Sequence, residues 1–97
     1  MRPDPQARLV RALLAKVDGA RLVTASSRDW TSATFTGARH QLQLHAPAPA
    51  ARALLDDLRP ETILLPGQLV ADILVTAEGP AGPDMMLRVD ALTLDAR

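Results

Sequence analysis

The same order of structural patterns occurs twice along this chain: an amphipathic helix pattern, followed by alternating, strand-like sequence. The first copy covers 5–45 and the second covers 49–95. The copies share little residue identity, so the repeat lies in the layout. Helices placed between runs of strands are typical of an α+β domain with an antiparallel sheet. We therefore predict a single domain over 1–97, with two helices packed on one face of a mostly antiparallel sheet of four to six strands.

In the first half, the sequence predicts one helix and three short strands. Asp4 and Pro5 are typical of a helix start, and apolar residues then recur at helical spacing as far as Val17. The predicted helix covers 5–18 and ends at Gly19. Strands are predicted at 22–26, 31–35 and 40–45, with turns at 27–29 and 37–38.

In the second half, the sequence predicts a helix over 49–59, and the dipeptide Pro66-Gly67 is typical of a turn. Strands are predicted at 61–65, 69–77 and 85–94, with a loop or hairpin tip at 79–84. In the last strand the apolar alternation of 85–89 is out of step with that of 92–94. We therefore predict a β-bulge near Asp90 and Ala91.

The strand predicted at 69–77 is apolar on most of both faces. Strict alternation would place Leu69 on one face, and Val70 and Leu74 on the other, where Asp72 interrupts them. Two short helices cannot cover both sides of such a strand, so it favours self-association or a protein partner. The predicted interface consists of Leu69, Val70, Asp72 and Leu74.

Composition excludes several kinds of chemistry. The chain has no cysteine, and therefore no disulfide, thiolate nucleophile or cysteine-bound metal. No segment has the ~18 apolar residues of a membrane span, and the first residues lack the apolar core of a signal peptide. We therefore expect no membrane association, no cofactor and a cytoplasmic location. The ten-to-one excess of arginine over lysine is typical of a GC-rich bacterial genome.

The charges are unevenly distributed, although the net charge is zero. Residues 1–48 carry seven basic and three acidic groups (+4), whereas 49–97 carry four basic and eight acidic groups (−4). Such asymmetry can steer a partner or favour head-to-tail association. The simpler alternative is that opposite charges meet within one fold. A neutral chain without aromatic platforms does not favour nucleic-acid binding.

The densest polar segment, 26–32, is the strongest candidate for a ligand site. Arg28 would hold a phosphate or carboxylate with help from nearby hydroxyls, and Trp30 would offer a flat face to a sugar, a base or a partner. The candidate ligand-binding residues are Ser27, Arg28, Trp30, Ser32, Arg39 and His40. The alternative is an ordinary polar turn in which Trp30 covers the sheet edge, and turns of this composition are common.

The two histidines predict neither a metal site nor catalysis. His40 and His45 lie five residues apart on one predicted strand, so they point to opposite faces and cannot chelate one metal. A triad of Ser26 or Ser27 with His40 and Asp29 lacks the glycine-rich motifs that accompany a nucleophilic serine. We expect His40 at the edge of the core, with a hydrogen-bond partner.

Two segments resemble parts of small bacterial proteins of unknown function. They are 30–40, with the sequence WTSATFTGARH, and 65–72, with the sequence LPGQLVAD. The resemblance covers about a fifth of the chain, and it implies no activity and no catalytic residue.

These patterns favour a non-enzymatic interaction or assembly module that forms a homodimer. One alternative is a domain that binds a small anion or sugar at 28–32. A second alternative is an accessory enzyme subunit whose partner covers the apolar strand. No catalytic residue is predicted.

Overall fold

A computed structural model describes residues 4–95 of the 97-residue chain. The elements are α1 (Pro5–Lys16), β1 (Arg21–Thr31), β2 (Thr36–Pro47), α2 (Ala48–Asp57), a 3-10 turn (Pro60–Thr62), β3 (Gln68–Ala81) and β4 (Asp84–Asp95). The predicted α+β class is therefore confirmed, with two helices and a four-stranded antiparallel sheet. None of the helices within 4–95 is both long enough and apolar enough to cross a membrane.

The strands lie side by side in the order β1-β2-β4-β3, and every neighbouring pair is antiparallel. β2 and β4 are therefore central, while β1 and β3 form the two edges. Each hairpin contributes one central strand and one edge strand. Consequently, the first half of the chain forms one side of the sheet and the second half forms the other.

Helix α1 begins where the sequence predicts. The Asp4 carboxylate accepts a hydrogen bond from the Gln6 amide (3.0 Å), and Pro5 occupies the first turn, where its missing amide hydrogen costs nothing. Leu9 and Leu13 are fully buried. The helix ends at Lys16, two residues before the predicted end.

The hydrophobic core lies between the two helices and one face of the sheet. Leu42 pairs directly with Val89, and Leu44 pairs with Leu87, so these four side chains share that face. The helices add Leu9, Leu13, Ala51 and Leu54 to the same cluster. Each fully buried leucine contributes about 1.5–3 kcal/mol relative to an exposed one. Both helices therefore stabilise the same face of the sheet.

The turns predicted at 27–29 and 37–38 are wrong. β1 continues without a break to Thr31, and the first hairpin turns at 32–35 instead. There the Ser32 amide donates to the Phe35 carbonyl (2.8 Å), and the Ser32 hydroxyl accepts from the Phe35 amide (3.0 Å). Ser27 lies within β1, and its hydroxyl forms hydrogen bonds with Gln6 of α1 and His40 of β2. Its polar side chain therefore does not mark a turn.

The second half also departs from the predicted boundaries. The strand predicted at 61–65 is wrong, because this segment contains the 3-10 turn and then a single isolated bridge from Leu65 to Gln68. The turn at Pro66-Gly67 is confirmed, and Gly67 has the positive φ of 76° that only glycine adopts readily. The segment 79–84, predicted as a loop or hairpin tip, is the tip of the second hairpin, and its irregular part is shorter than expected because β3 continues to Ala81 and β4 begins at Asp84.

The bulge predicted near Asp90 and Ala91 is also wrong. β4 pairs with β2 without any shift in register, and the shifts in the second hairpin lie beside β3 positions 70–72 and 77–79. Leu92 and Leu94 therefore point away from the helices, opposite to Leu87 and Val89. The change of phase in the sequence marks apolar side chains on the second face of the sheet.

The register shift in β3 also changes which of its residues share a face. Val70, 4% exposed, lies on the helix side and joins the core, together with the half-buried Ile73 and Val75. Leu69 and Leu74 lie on the other side, where they are 60% and 57% exposed. The predicted grouping of Val70 with Leu74 is therefore wrong.

Candidate functional site

The face of the sheet that points away from the helices, called the open face below, has no other element of the fold packed on it. The strand registers arrange its side chains in rows that cross all four strands from β1 to β3. The first four rows are Trp30, Gly37, Leu94 and Leu69; Arg28, Arg39, Leu92 and Asp72; Ser26, Gln41, Asp90 and Leu74; and Thr24, Gln43, Arg88 and Thr76.

The end of the open face near the first hairpin turn is apolar. Leu69 is exposed there on β3 and Phe35 is half exposed at the tip of the hairpin, whereas Leu74 is exposed two rows further along β3. Trp30 is half-buried and lies directly opposite Gly37. A Cβ atom at position 37 would collide with the carbonyl oxygen of Thr93, so only glycine fits there.

The middle of the open face contains a polar hollow of about 550 Å³. It is lined by Ser26, Ser27, Arg28, Arg39, His40, Gln41, Asp90 and Ala91. Arg28 and Arg39 lie directly opposite each other on β1 and β2. Like charges in this relation destabilise a strand pair. The hollow therefore combines two cations with the hydroxyl of Ser26 and the amide of Gln41.

The carboxylate in this hollow is already engaged by another arginine. Asp90 accepts hydrogen bonds from Arg88, one from Nε at 3.0 Å and one from an Nη atom at 3.3 Å. Arg28 and Arg39 form no ion pair or hydrogen bond with any side chain in the described part of the chain. Their charges therefore face solvent without a counter-ion from residues 4–95 of the same molecule.

A chain of hydrogen bonds on the helix side of the sheet includes two of the residues that line this hollow, Ser27 and His40. Gln6 Nε2 donates to Ser27 Oγ (2.8 Å), which contacts His40 Nδ1 (2.6 Å), and His40 Nε2 contacts Thr93 Oγ1 (2.8 Å). The Thr93 hydroxyl donates to the Ala38 carbonyl (3.5 Å), which can only accept. Thr93 must therefore accept from Nε2–H, and Nδ1 accepts from the Ser27 hydroxyl.

This arrangement stabilises the neutral form of His40. Burial lowers the pKa of His40 below its ordinary value because the imidazolium would lose hydration, and the carboxylate of Asp4 opposes this effect in part. A protonated ring would also present Nδ1–H to Ser27, which now donates to that atom. The expectation that His40 lies at the core with a hydrogen-bond partner is confirmed.

Serine and histidine at 2.6 Å have the spacing of a nucleophile and its base. However, Asp29 forms no hydrogen bond with His40 in the described structure, and Thr93 occupies the position that a triad gives to a carboxylate. The backbone amide of Gln6 already donates to the Asp4 carboxylate, so it is not free to stabilise an oxyanion beside Ser27. The Ser27–His40 pair therefore connects β1 to the core and lacks the remaining parts of a hydrolytic site.

The structure brings together four of the six predicted ligand-binding residues and separates the other two. Ser27, Arg28, Arg39 and His40 line the polar hollow. Ser32 lies in the hairpin turn, where its hydroxyl satisfies backbone amides. Trp30 lies one row away from the arginines, beside Gly37. Sequence reasoning missed Ser26, Gln41 and Asp90, because only the pairing of strands shows that they share a face with Arg28.

Three of the four predicted interface residues lie on the open face. Leu69, Asp72 and Leu74 are exposed there, whereas Val70 belongs to the core. Leu92 and Leu94 were not predicted as members of this surface, and their phase in the sequence was the signal that would have identified them. Leu92 is 9% exposed between Arg39 and Asp72 in its row, so it forms the centre of the apolar part.

Comparison with protein-family models, curated proteins and solved structures found no match. Within residues 4–95, no group of three or more histidine, cysteine, aspartate or glutamate side chains is placed to bind a metal ion. The function is therefore inferred from the open face and its charges.

Proposed function

We propose that this protein is a non-enzymatic assembly module that forms a homodimer through the open face of its sheet. One observation carries the proposal: the face opposite the core exposes leucines where an isolated antiparallel sheet would be polar. Leu69 and Leu74 are both more than half exposed. Antiparallel sheets with one solvated face normally alternate between apolar and polar residues.

The size of the open face agrees with a dimer interface. Four strands spaced ~4.8 Å apart, with ~3.4 Å per residue along each strand, give a face of roughly 20 × 30 Å, or about 600 Å² in projection. A standard protein interface buries about 800 Å² of accessible surface on each partner. Accessible surface exceeds its projection, so this face alone is large enough for a specific contact.

The proposal also assigns different roles to the two halves of the chain. We interpret 5–45 and 49–95 as an internal pseudo-repeat in which each half supplies a helix and a hairpin. The first hairpin contributes Arg28 and Arg39 to the open face, and the second hairpin contributes the leucines and the acids of the four rows. The two halves thus form complementary sides of one surface.

The test is the molar mass in solution, measured by size-exclusion chromatography with light scattering over a range of concentrations. We expect twice the monomer mass of 10.4 kDa. Leu69→Glu and Leu74→Glu should each shift the protein towards the monomer, because each places a charge in the apolar contact. Leu64→Glu is the matched control, since Leu64 is 85% exposed and lies outside the strands. A monomeric wild-type protein at high concentration would refute the proposal.

The arginine pair favours a second candidate function, the binding of a small anion such as phosphate. Arg28 and Arg39 face each other without a counter-ion from the described chain, and a phosphate between them would remove their repulsion. Titration with inorganic phosphate, followed by NMR of the amides around the hollow, tests this function. The shifts should disappear in Arg28→Ala and persist in Arg52→Ala, a control on the exposed side of α2.

A further inference from the structure

We infer that the two copies pack open face to open face about a twofold axis parallel to the strands. In this geometry the arginines of each copy meet the acidic side of the partner subunit. The inference rests on the proposed homodimer and adds its orientation and its charge pairing. It also identifies what neutralises Arg28, namely the carboxylate of Asp72 supplied by a second copy of this chain.

The first step is the division of charge across the open face. The side formed by β1 and β2 carries Arg28 and Arg39 and no acidic residue in the four rows. The side formed by β4 and β3 carries Asp90 and Asp72, and its single arginine, Arg88, is already bonded to Asp90. Over the four rows the β1–β2 side therefore has a net charge of +2, from Arg28 and Arg39, and the β4–β3 side has a net charge of −1, from two aspartates and one arginine.

The second step compares the two ways in which aligned sheets can face each other with twofold symmetry. An axis parallel to the strands places the β1–β2 side of one copy over the β4–β3 side of its partner. An axis across the strands places each side over the same side of the partner, so that arginines face the basic side again. Like charges brought together across an interface oppose association. The charges therefore favour the axis parallel to the strands.

The third step follows the rows across the interface. With this axis each row lies over the same row of the other copy, in reverse order. Arg28 then lies over Asp72 of the partner subunit, and Trp30 lies over Leu69 of the partner subunit. Leu94 lies over Gly37 of the partner subunit, which presents no side chain against it. The apolar rows and the charged rows are matched by one symmetry operation.

The edge strands of the sheet, β1 and β3, are less suited to self-association than the open face. β3 is interrupted by two register shifts and carries Pro80, which cannot donate a hydrogen bond, so this edge resists strand addition. β1 is more regular, but its exposed side chains are mostly polar or charged. An edge contact through β1 would leave the leucines of the open face uncovered. Charge reversal on the open face distinguishes such a contact from the face-to-face dimer.

The experiment uses charge reversal at one pair of positions that face each other across the proposed axis. Arg28→Glu places two acids together at each of the two symmetric contacts, and Asp72→Arg places two arginines together there. Both residues are exposed, so neither change disturbs the core. We expect each variant alone to dimerise at least about tenfold more weakly than the wild type.

The decisive measurement is a one-to-one mixture of Arg28→Glu and Asp72→Arg. In the mixed dimer one contact pairs Glu with Arg and the other keeps the original pair, so the dissociation constant should return to within about threefold of the wild-type value. Analytical ultracentrifugation with one variant fluorescently labelled measures this constant directly. Arg52→Glu, which lies on α2, serves as a control that should leave dimerisation unchanged.

The outcomes separate the geometry from the proposed function. A monomeric wild-type protein overturns both. A wild-type dimer whose variants do not rescue each other overturns the inferred axis and leaves the homodimer standing. If Arg28→Glu alone dimerises as tightly as the wild type, the contact does not involve this side of the open face, and an edge contact is indicated instead. Mutual rescue supports the inferred geometry, because no other position in the chain was changed.

Discussion

At the scale of single residues, His40 shows how a polar side chain is accommodated in a small apolar core. Both ring nitrogens have hydroxyl partners, Ser27 Oγ at 2.6 Å and Thr93 Oγ1 at 2.8 Å. The direction of every bond in this chain is determined by the Ala38 carbonyl at its end. A buried polar network that is fully satisfied in this way is stable, whereas a partly satisfied one is costly.

We predict that this network makes folding stability fall as the pH falls below about 6.5. The pKa of His40 is lowered in the folded protein by burial, so the unfolded chain binds a proton more readily. The contribution is therefore fully present above the pKa of unfolded histidine, and it is lost as the pH falls towards the folded pKa. Urea unfolding at pH 7.5 and at pH 5.5 measures this difference.

The control for this prediction is His40→Gln, whose amide can bond to a hydroxyl and does not titrate. It should be less stable at neutral pH and should lose the part of the pH dependence that belongs to His40. An unchanged pH dependence in His40→Gln would assign the effect to other groups, and the prediction would then be wrong. The sequence placed His40 on the core face through its alternation with Leu42, but it gave no indication of Thr93, 53 residues further along the chain.

At the scale of elements, the first hairpin depends on Ser32 for its turn. The Ser32 hydroxyl accepts hydrogen bonds from the amides of Phe35 (3.0 Å) and Thr34 (3.3 Å). We predict that Ser32→Ala lowers the free energy of unfolding by about 0.5–1.5 kcal/mol, the typical net contribution of a hydrogen bond. Chemical denaturation measures this change, with Ser26→Ala as the control because Ser26 has no such role. A loss in Ser26→Ala equal to that in Ser32→Ala would contradict the assignment.

The elements that the sequence predicted well are those determined by local signals. Asp4 and Pro5 mark the start of α1, and Pro66-Gly67 marks a turn, because each acts through its own backbone and near neighbours. The segment 27–29 has the composition of a turn, yet it is part of β1, since its pairing with β2 outweighs local preference. Local composition alone could not reveal that pairing.

The phase change in β4 had two physical explanations that the sequence could not separate. A bulge would return Leu92 and Leu94 to the core face, whereas a regular strand would place them on the opposite face. The uninterrupted pairing with β2 decides for the regular strand. Leu92 and Leu94, two of the four leucines on the open face, therefore appeared in the sequence only as a break in the alternation. The strand register was needed to place them on the open face.

At the scale of the whole molecule, the uneven distribution of charge along the sequence makes the two sides of the open face differ in charge. The net charges of +4 and −4 belong to the two halves of the chain, and the strand order β1-β2-β4-β3 keeps those halves apart. The alternative, in which the charges of the two halves pair within the fold, is not found for the described arginines of the open face. Arg88 pairs with Asp90 of its own strand, and Arg28 and Arg39 have no acidic partner.

This distribution predicts opposite effects of salt on two forms of the protein. In the wild-type dimer the contacts between Arg28 and Asp72 of the partner subunit are attractive. Raising sodium chloride about tenfold, from ~0.05 to ~0.5 M, shortens the Debye length severalfold and should therefore weaken dimerisation. In Arg28→Glu the same contacts are repulsive, and screening should strengthen dimerisation. The apolar contacts are common to both forms, so they cannot change the sign of the difference. Sedimentation velocity at the two salt concentrations measures both dissociation constants, and the same direction of change in both forms would show that charges do not orient the dimer.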